Sequence, residues 1–139
     1  MNYLDANVFI YAALYEGERG EKARKLIKKV REGKEVAFTS ALTFDEFFWV
    51  VKKERGFDSA LDAGKALLEM PNLTFLDVDD TVLWQAYNFI KRYKLNPRDA
   101  IHLSCAFVHG IFTIISDDDD FDKVKEVERK RLEDEVDED

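Results

Sequence analysis

Cysteine is nearly absent: Cys105 stands alone, so no internal disulfide can form. Two prolines and six glycines are too few for a collagen-like or linker chain. Long apolar runs are missing too. The longest, Val8 to Tyr15, has eight residues, whereas a bilayer span needs about 20. The opening MNYLDANVF has no basic stretch ahead of an apolar one, which does not read as a secretory signal. No phosphate-binding G-x-x-x-x-G-K-[ST], dinucleotide-binding G-x-G-x-x-G or nucleophile-elbow G-x-S-x-G is found. These absences lead to the expectation of a soluble, cytoplasmic protein with no membrane attachment. With about 150 residues per domain, 139 residues make one domain.

What is present suits a folded core. Hydrophobic residues make up 46% of the chain and aromatics 13%, which excludes low-hydrophobicity disorder. The charge balance is acidic: 21 Lys and Arg against 29 Asp and Glu, a net −8. A protein that coats nucleic acid non-specifically is usually basic. The surplus is uneven. Residues 122–139 carry nine acids and five bases, and four aspartates run from 117 to 120.

Short β-like runs alternate with helical periods. Tyr3–Leu4 reads as a strand ending at Asp5, followed by a helix over 8–14 that stops near Gly17 and Gly20. Ala23, Leu26, Ile27 and Val30 form an i, i+3, i+4, i+7 stripe closed by Gly33. Residues 35–38 read as a second strand. Ser40 then caps a helix with the stripe Phe44, Phe47, Phe48, Val51, and Asp58 caps another that Pro71 stops. A third strand covers 73–76. Asp79 or Asp80 starts a helix carrying Val82, Leu83, Ala86, Tyr87 and Ile90. Asn96-Pro97 opens an almost wholly apolar, buried helix. Residues 112–115 form a fourth, apolar strand. The expected fold class is a three-layer α/β/α sandwich with a mainly parallel sheet of four to five strands. The domain is expected to span 1–124, with 125–139 a charged tail, helical or frayed.

In open α/β sheets ligands bind beyond the carboxyl ends of the strands. Four acids are expected there: Asp5 at the end of the first strand, Glu46 in the helix after the second, Asp99 in the first turn of the buried helix, and Asp118 after the fourth strand. Each has a purely structural alternative. Asp5 is placed to cap a helix, Glu46 completes a Thr43-x-x-Glu46 capping-box spacing, Asp99 follows Asn96 at the capping-box distance, and charge runs are usually solvated. Their common position at one end of one sheet outweighs these. Four carboxylates in one pocket repel, and oxygen-only donors suit Mg²⁺ or Mn²⁺ rather than zinc. His102 and His109 share one helix face without a third ligand and read as structural; Cys105 reads as a core residue.

Asp5-Ala6-Asn7 resembles the D-x-N opening of PIN domains. Asp99-Ala100-Ile101-His102-Leu103 resembles their D-A-x-x-x-A segment, with Ser104 for the second alanine. Ser116-Asp117-Asp118-Asp119-Asp120-Phe121 resembles T-x-D-x-D-F, with serine for threonine. The ordered match runs from residue 1 to about 124, and size and architecture resemble the VapC toxins of toxin–antitoxin pairs.

The resemblance implies a metal-dependent endoribonuclease acting on single-stranded or structured RNA, with Mg²⁺ or Mn²⁺ as cofactor and Asp5, Glu46, Asp99 and Asp118 as catalytic acids. Asp120 would add a metal ligand, while Asn7 and Ser116 would orient the carboxylates. Arg98, Arg24 and Lys28 are the expected phosphate contacts. It further implies a homodimer and a cognate antitoxin, to which the large apolar residues Phe47, Phe48, Trp49, Trp84 and Phe89 would be suited where they are not core. Two alternatives come from other classes: a catalytically idle PIN-like RNA-binding or scaffold module, and a phosphatase of the haloacid-dehalogenase type. The latter needs an aspartate at position 7, where this chain has Asn7.

Overall fold

The computed structural model describes residues 1–136. Five parallel strands form one sheet: β1 (Asn2–Leu4), β2 (Ala37–Ser40), β3 (Leu73–Leu76), β4 (Thr113–Ile115) and β5 (Glu128–Lys130), in the order β3-β2-β1-β4-β5. The helices are α1 (Ala6–Leu14), α2 (Glu18–Arg31), α3 (Ala41–Arg55), α4 (Phe57–Leu68), α5 (Asp80–Tyr93), α6 (Pro97–Val108) and α7 (Leu132–Val136).

Strand alternation sorts the core into two layers. Leu4, Ala37 and Ile115 point to the face covered by α1 to α4 and by Leu132 of α7. Tyr3 and Ile114 point to the opposite face, covered by α5 and α6. The expected three-layer α/β/α sandwich is therefore the observed architecture. Phe9, Leu26 and Val30 join α1 and α2 to the first layer; such burial contributes roughly 1.5–3 kcal/mol per side chain.

Several boundaries differ from the sequence-based expectation. The second strand lies two residues later than 35–38, because register with β3 is what selects Ala37–Ser40. The first helix ends at Leu14, and α2 starts at Glu18, so Gly20, expected near a helix stop, lies inside a helix. A Cβ at Gly20 would lie 1.9 Å from the Tyr15 carbonyl oxygen, so glycine permits a close approach of the chain rather than a break. Gly56, not Asp58, occupies the N-cap of α4. On α5 the buried stripe is Val82, Ala86 and Phe89, leaving Leu83 and Tyr87 exposed. The fourth strand begins at Thr113, with Phe112 exposed. The charged stretch expected to be helical or frayed instead supplies the parallel edge strand β5 before α7, with Val124 and Val127 buried ahead of it. Residues 137–139 of that stretch lie outside the described residues.

Strand order reverses around β1, whose neighbours are β2 and β4. Such a switch point leaves a crevice at the carboxyl edge of a parallel sheet.

Candidate metal centre

The crevice is a cleft of about 640 Å³ whose lining includes Asp5, Asn7, Glu46, Arg98, Asp99, His102, Asp118 and Asp120. Five carboxylates from four separate stretches of chain meet there. Asp5 stands one residue past β1, at the N-cap of α1, yet its side chain makes no capping bond. It accepts instead a hydrogen bond from Ser116 Oγ at 2.6 Å. The capping alternative for Asp5 thus fails on geometry. Thr43, which would open a capping box with Glu46, is instead hydrogen-bonded to Thr39 Oγ1 at 2.8 Å. That leaves Glu46 to project from α3 into the cleft.

The aspartate run is ordered by its own backbone. Asp118 N donates to Ser116 Oγ and Asp120 N donates to Asp118 Oδ1, each at 3.0 Å. A short 3₁₀ turn, Asp119–Lys123, follows, and Phe121 is buried beneath it. The turn aims Asp118 and Asp120 toward Asp99, so one oxygen of each lies within 4.8 Å of the others. Asp117 turns the other way, pairing with Arg19 at 3.5 Å and accepting from Leu132 N at 3.2 Å. Asp119 is exposed. On β5, Arg129 forks onto Asp122 with both bonds at 2.9 Å and donates to Ser116 O at 3.1 Å, bracing the turn from behind.

Electrostatics in the cleft are unbalanced. Burial raises the Asp5 carboxyl above its ordinary range; His102 and the Ser116 hydrogen bond offset this in part, while Glu46 adds to it. Burial, then the charges of Asp118 and Asp5, push Asp99 to about 6. Carboxylates that oppose one another's ionisation in this way would be relieved by a cation between them. Oxygen donors from aspartate and glutamate match Mg²⁺ or Mn²⁺ in hardness.

One member of the cleft was not expected from sequence. Its place in an apolar helix reads as structural, yet His102 Nε2 lies 3.2 Å from Glu46 Oε2 and 4.0 Å from Asp5 Oδ1. Burial lowers its basicity, but the Glu46 hydrogen bond and the charges of Asp5, Glu46 and Asp99 outweigh that and raise it overall. The signal available in sequence was its spacing, three residues after Asp99 on one helix face. Cys105 is a core residue, with burial pushing its thiol up to about 12.

The expected phosphate contacts divide. Arg98 stands at the mouth, 68% exposed, with Nε 3.4 Å from Glu46 Oε1. Arg24 and Lys28 lie away from the cleft and line a separate groove on another side of α1. Arg24 also donates to the Ala12 and Tyr15 carbonyls at 3.2 and 2.9 Å, closing the end of that helix. Phe47 and Phe89 are core, whereas Trp49 and Trp84 are exposed.

Comparison with known proteins places this arrangement in context. A family model described as PIN domain matches residues 3–127. A curated protein, Ribonuclease VapC2 of Methanocaldococcus jannaschii, is 28% identical over 134 residues, covering 88% of this chain and 87% of that protein. Among solved structures, VapBC2 from Rickettsia felis bound to a DNA fragment from its promoter superposes with a TM-score of 0.75 at 13% identity, over 94% of this chain and 98% of that one. Mycobacterium tuberculosis VapC20, described as a sarcin-ricin loop cleaving toxin, gives 0.69 at 17% identity, over 88% and 93%.

Proposed function

The chain belongs to the PIN-domain family, and from that membership and the acid cleft we propose that it is a Mg²⁺- or Mn²⁺-dependent endoribonuclease, the toxin of a VapBC-type pair. The observation that carries the reading is the convergence of Asp5, Glu46, Asp99, Asp118 and Asp120 on one cleft, with the Asp5 and Asp99 carboxyls held above their ordinary range by burial. The donor set fits a hard divalent cation. When bound, such a cation activates water and neutralises charge at a phosphodiester.

The chain's own residues do the rest. Asp99, Asp118 and Asp120, each with an oxygen within 4.8 Å of the others, would hold the cation together with Asp5 and Glu46. Ser116 fixes one oxygen of Asp5 by its 2.6 Å hydrogen bond, leaving the other toward the cleft. Asn7, half-buried in the lining, is placed to orient a neighbouring carboxylate or water. Arg98 is exposed and only loosely paired with Glu46, so its guanidinium is available to a substrate phosphate. The substrate is single-stranded or structured RNA, and the site of action is the cytoplasm. Among the described residues, no helix is long and apolar enough to cross a membrane.

The second groove supports an antitoxin partner. It encloses about 420 Å³ between α1, α2, α3 and α4, with Phe9, Phe47 and Leu67 in its lining and Arg24, Lys28 and Arg31 beside them. An amphipathic segment with acidic flanks fits that chemistry. The exposed Trp49, Trp84 and Tyr87 are suited to a homodimer contact.

The decisive experiment incubates end-labelled RNA oligonucleotides with metal-stripped protein. Internal cleavage should appear on adding Mn²⁺ and vanish in EDTA. RNA binding without cleavage would point to the idle-module alternative, and phosphate release from small esters alone to a phosphatase.

A further inference from the structure

His102 sits on α6, in the layer opposite the one that carries Glu46, and is 1% exposed. Its imidazole reaches across the carboxyl edge of the sheet, so that Nε2 lies 3.2 Å from Glu46 Oε2. Nδ1 lies 2.7 Å from the Tyr3 hydroxyl, which lies 2.8 Å from Ser40 Oγ. The Tyr3 ring meets the imidazole edge-on, with centroids 5.6 Å apart. Ser40 stands at the N-cap of α3 but makes no capping bond there. Three buried polar side chains therefore form one chain that rises from the sheet and ends on a carboxylate of the cleft.

The hydrogens can be assigned by requiring every buried atom to be satisfied. A ring nitrogen facing a carboxylate oxygen must carry a proton, because otherwise lone pairs oppose each other. With Nε2–H donating to Glu46, Nδ1 is left for the Tyr3 hydroxyl, accepting from it in a neutral ring and donating to it in a charged one. That hydroxyl also shares a hydrogen bond with Ser40. The Nε2 lone pair is then not free for a cation. Glu46 is held on both oxygens, but unequally. Arg98 on Oε1 is exposed and free to exchange; His102 on Oε2 is clamped from below.

Resting on the ribonuclease reading above, we propose that His102 is a positioning residue. Held by Tyr3 and Ser40, its Nε2–H fixes the Glu46 carboxylate in the orientation that completes the divalent-cation site, without ligating the cation itself. Tyr3 and Ser40 act one step further back, by preventing the ring from turning.

The test uses the full chain with Mg²⁺ and Mn²⁺. In ¹⁵N-histidine NMR, the His102 Nε2 resonance should be that of a protonated nitrogen both before and after Mg²⁺ addition. An unprotonated Nε2 in the Mg²⁺-loaded protein would make it a ligand and overturn the proposal. By calorimetric titration, His102→Leu should bind Mn²⁺ about 10- to 100-fold more weakly. His102→Gln, whose amide N–H can still donate to Glu46, should recover most of that loss. Tyr3→Phe keeps the ring system but frees Nδ1, and it should weaken Mn²⁺ binding even if His102→Leu fails to fold. Variants that melt lower yet bind Mn²⁺ like the wild type would show a merely structural histidine and overturn the role proposed for His102 alone. A wild-type protein that binds no Mn²⁺ would overturn the cation-site reading itself.

Discussion

Ser116 Oγ donates to Asp5 Oδ2 at 2.6 Å, joining residues 111 apart in sequence. The contact follows from strand register. Leu4 pairs with Ile115, so the next residues, Asp5 and Ser116, leave adjacent strands side by side at the carboxyl edge. The same hydroxyl accepts from Asp118 N. One serine therefore ties the first carboxylate of the cleft to the turn that presents the last.

Replacing that serine tests the link. Ser116→Ala should cut cleavage about 10- to 100-fold, as loss of an orienting partner usually does. It should destabilise the metal-free fold by about 1–3 kcal/mol, the cost of a lost hydrogen bond to a buried carboxyl. Activity assays and denaturant melts of one preparation would check both.

Charge repulsion in the cleft predicts an unusual pH response. Asp99 is raised to about 6 by burial, then by Asp118 and Asp5. An acid whose folded pKa exceeds its unfolded value binds its proton more tightly in the native state. Its contribution to stability is complete below about pH 4 and is lost as pH rises through about 6. In EDTA, wild-type protein should therefore lose stability relative to Asp99→Asn across that window. Saturating Mg²⁺ should remove the difference or reverse it. Thermal melts at stepped pH, with and without Mg²⁺, read this directly.

Loss of a cation ligand should separate activity from folding. Asp5→Asn and Asp99→Asn should abolish cleavage while melting as high as wild type, or higher, without metal. Unfolding of either variant with retained activity in the soluble fraction would favour a structural role.

The aspartate run offers an internal control. Asp118→Ala should be the most damaging to activity and Asp119→Ala nearly silent, with Asp120→Ala between. Asp117→Ala should behave differently from all three. It removes the acceptor for Leu132 N and the partner of Arg19, so it should lower the melting temperature and spare cleavage. A cleavage defect in Asp117→Ala equal to that of Asp118→Ala would contradict the orientation of the turn.

The groove between α1, α2, α3 and α4 can be tested without touching the cleft. Ala66 is exposed in its lining, so Ala66→Glu adds bulk and negative charge with little effect on the core. Ribonuclease activity should be unchanged. Co-purification with the product of a neighbouring antitoxin reading frame should be lost.

Much of this molecule is readable along the chain itself, wherever the determining contacts are local. The Leu73–Leu76 strand, the Asp79 cap of α5 with its bond to Val82 N, and proline at the first turn of α6 all rest on near neighbours in sequence. The alternation of strands and helices also set the three layers, and it brought the acids to one end of the sheet. Other features depend on partners far away. The start of β2 is decided by pairing with β3, and Glu128–Lys130 becomes a strand only because β4 has a free edge beside it. No periodicity in three residues can announce that. Arg24 and Lys28 carry a charge suited to phosphate, but only the packing of α2 decides that they line a groove on another side of α1. His102 lies in an apolar helix and looks like filling. It acquires meaning only when folding brings Tyr3 beneath it and Glu46 beside it, because a hydrogen bond is decided by distances of a few ångströms between residues 99 and 56 positions apart.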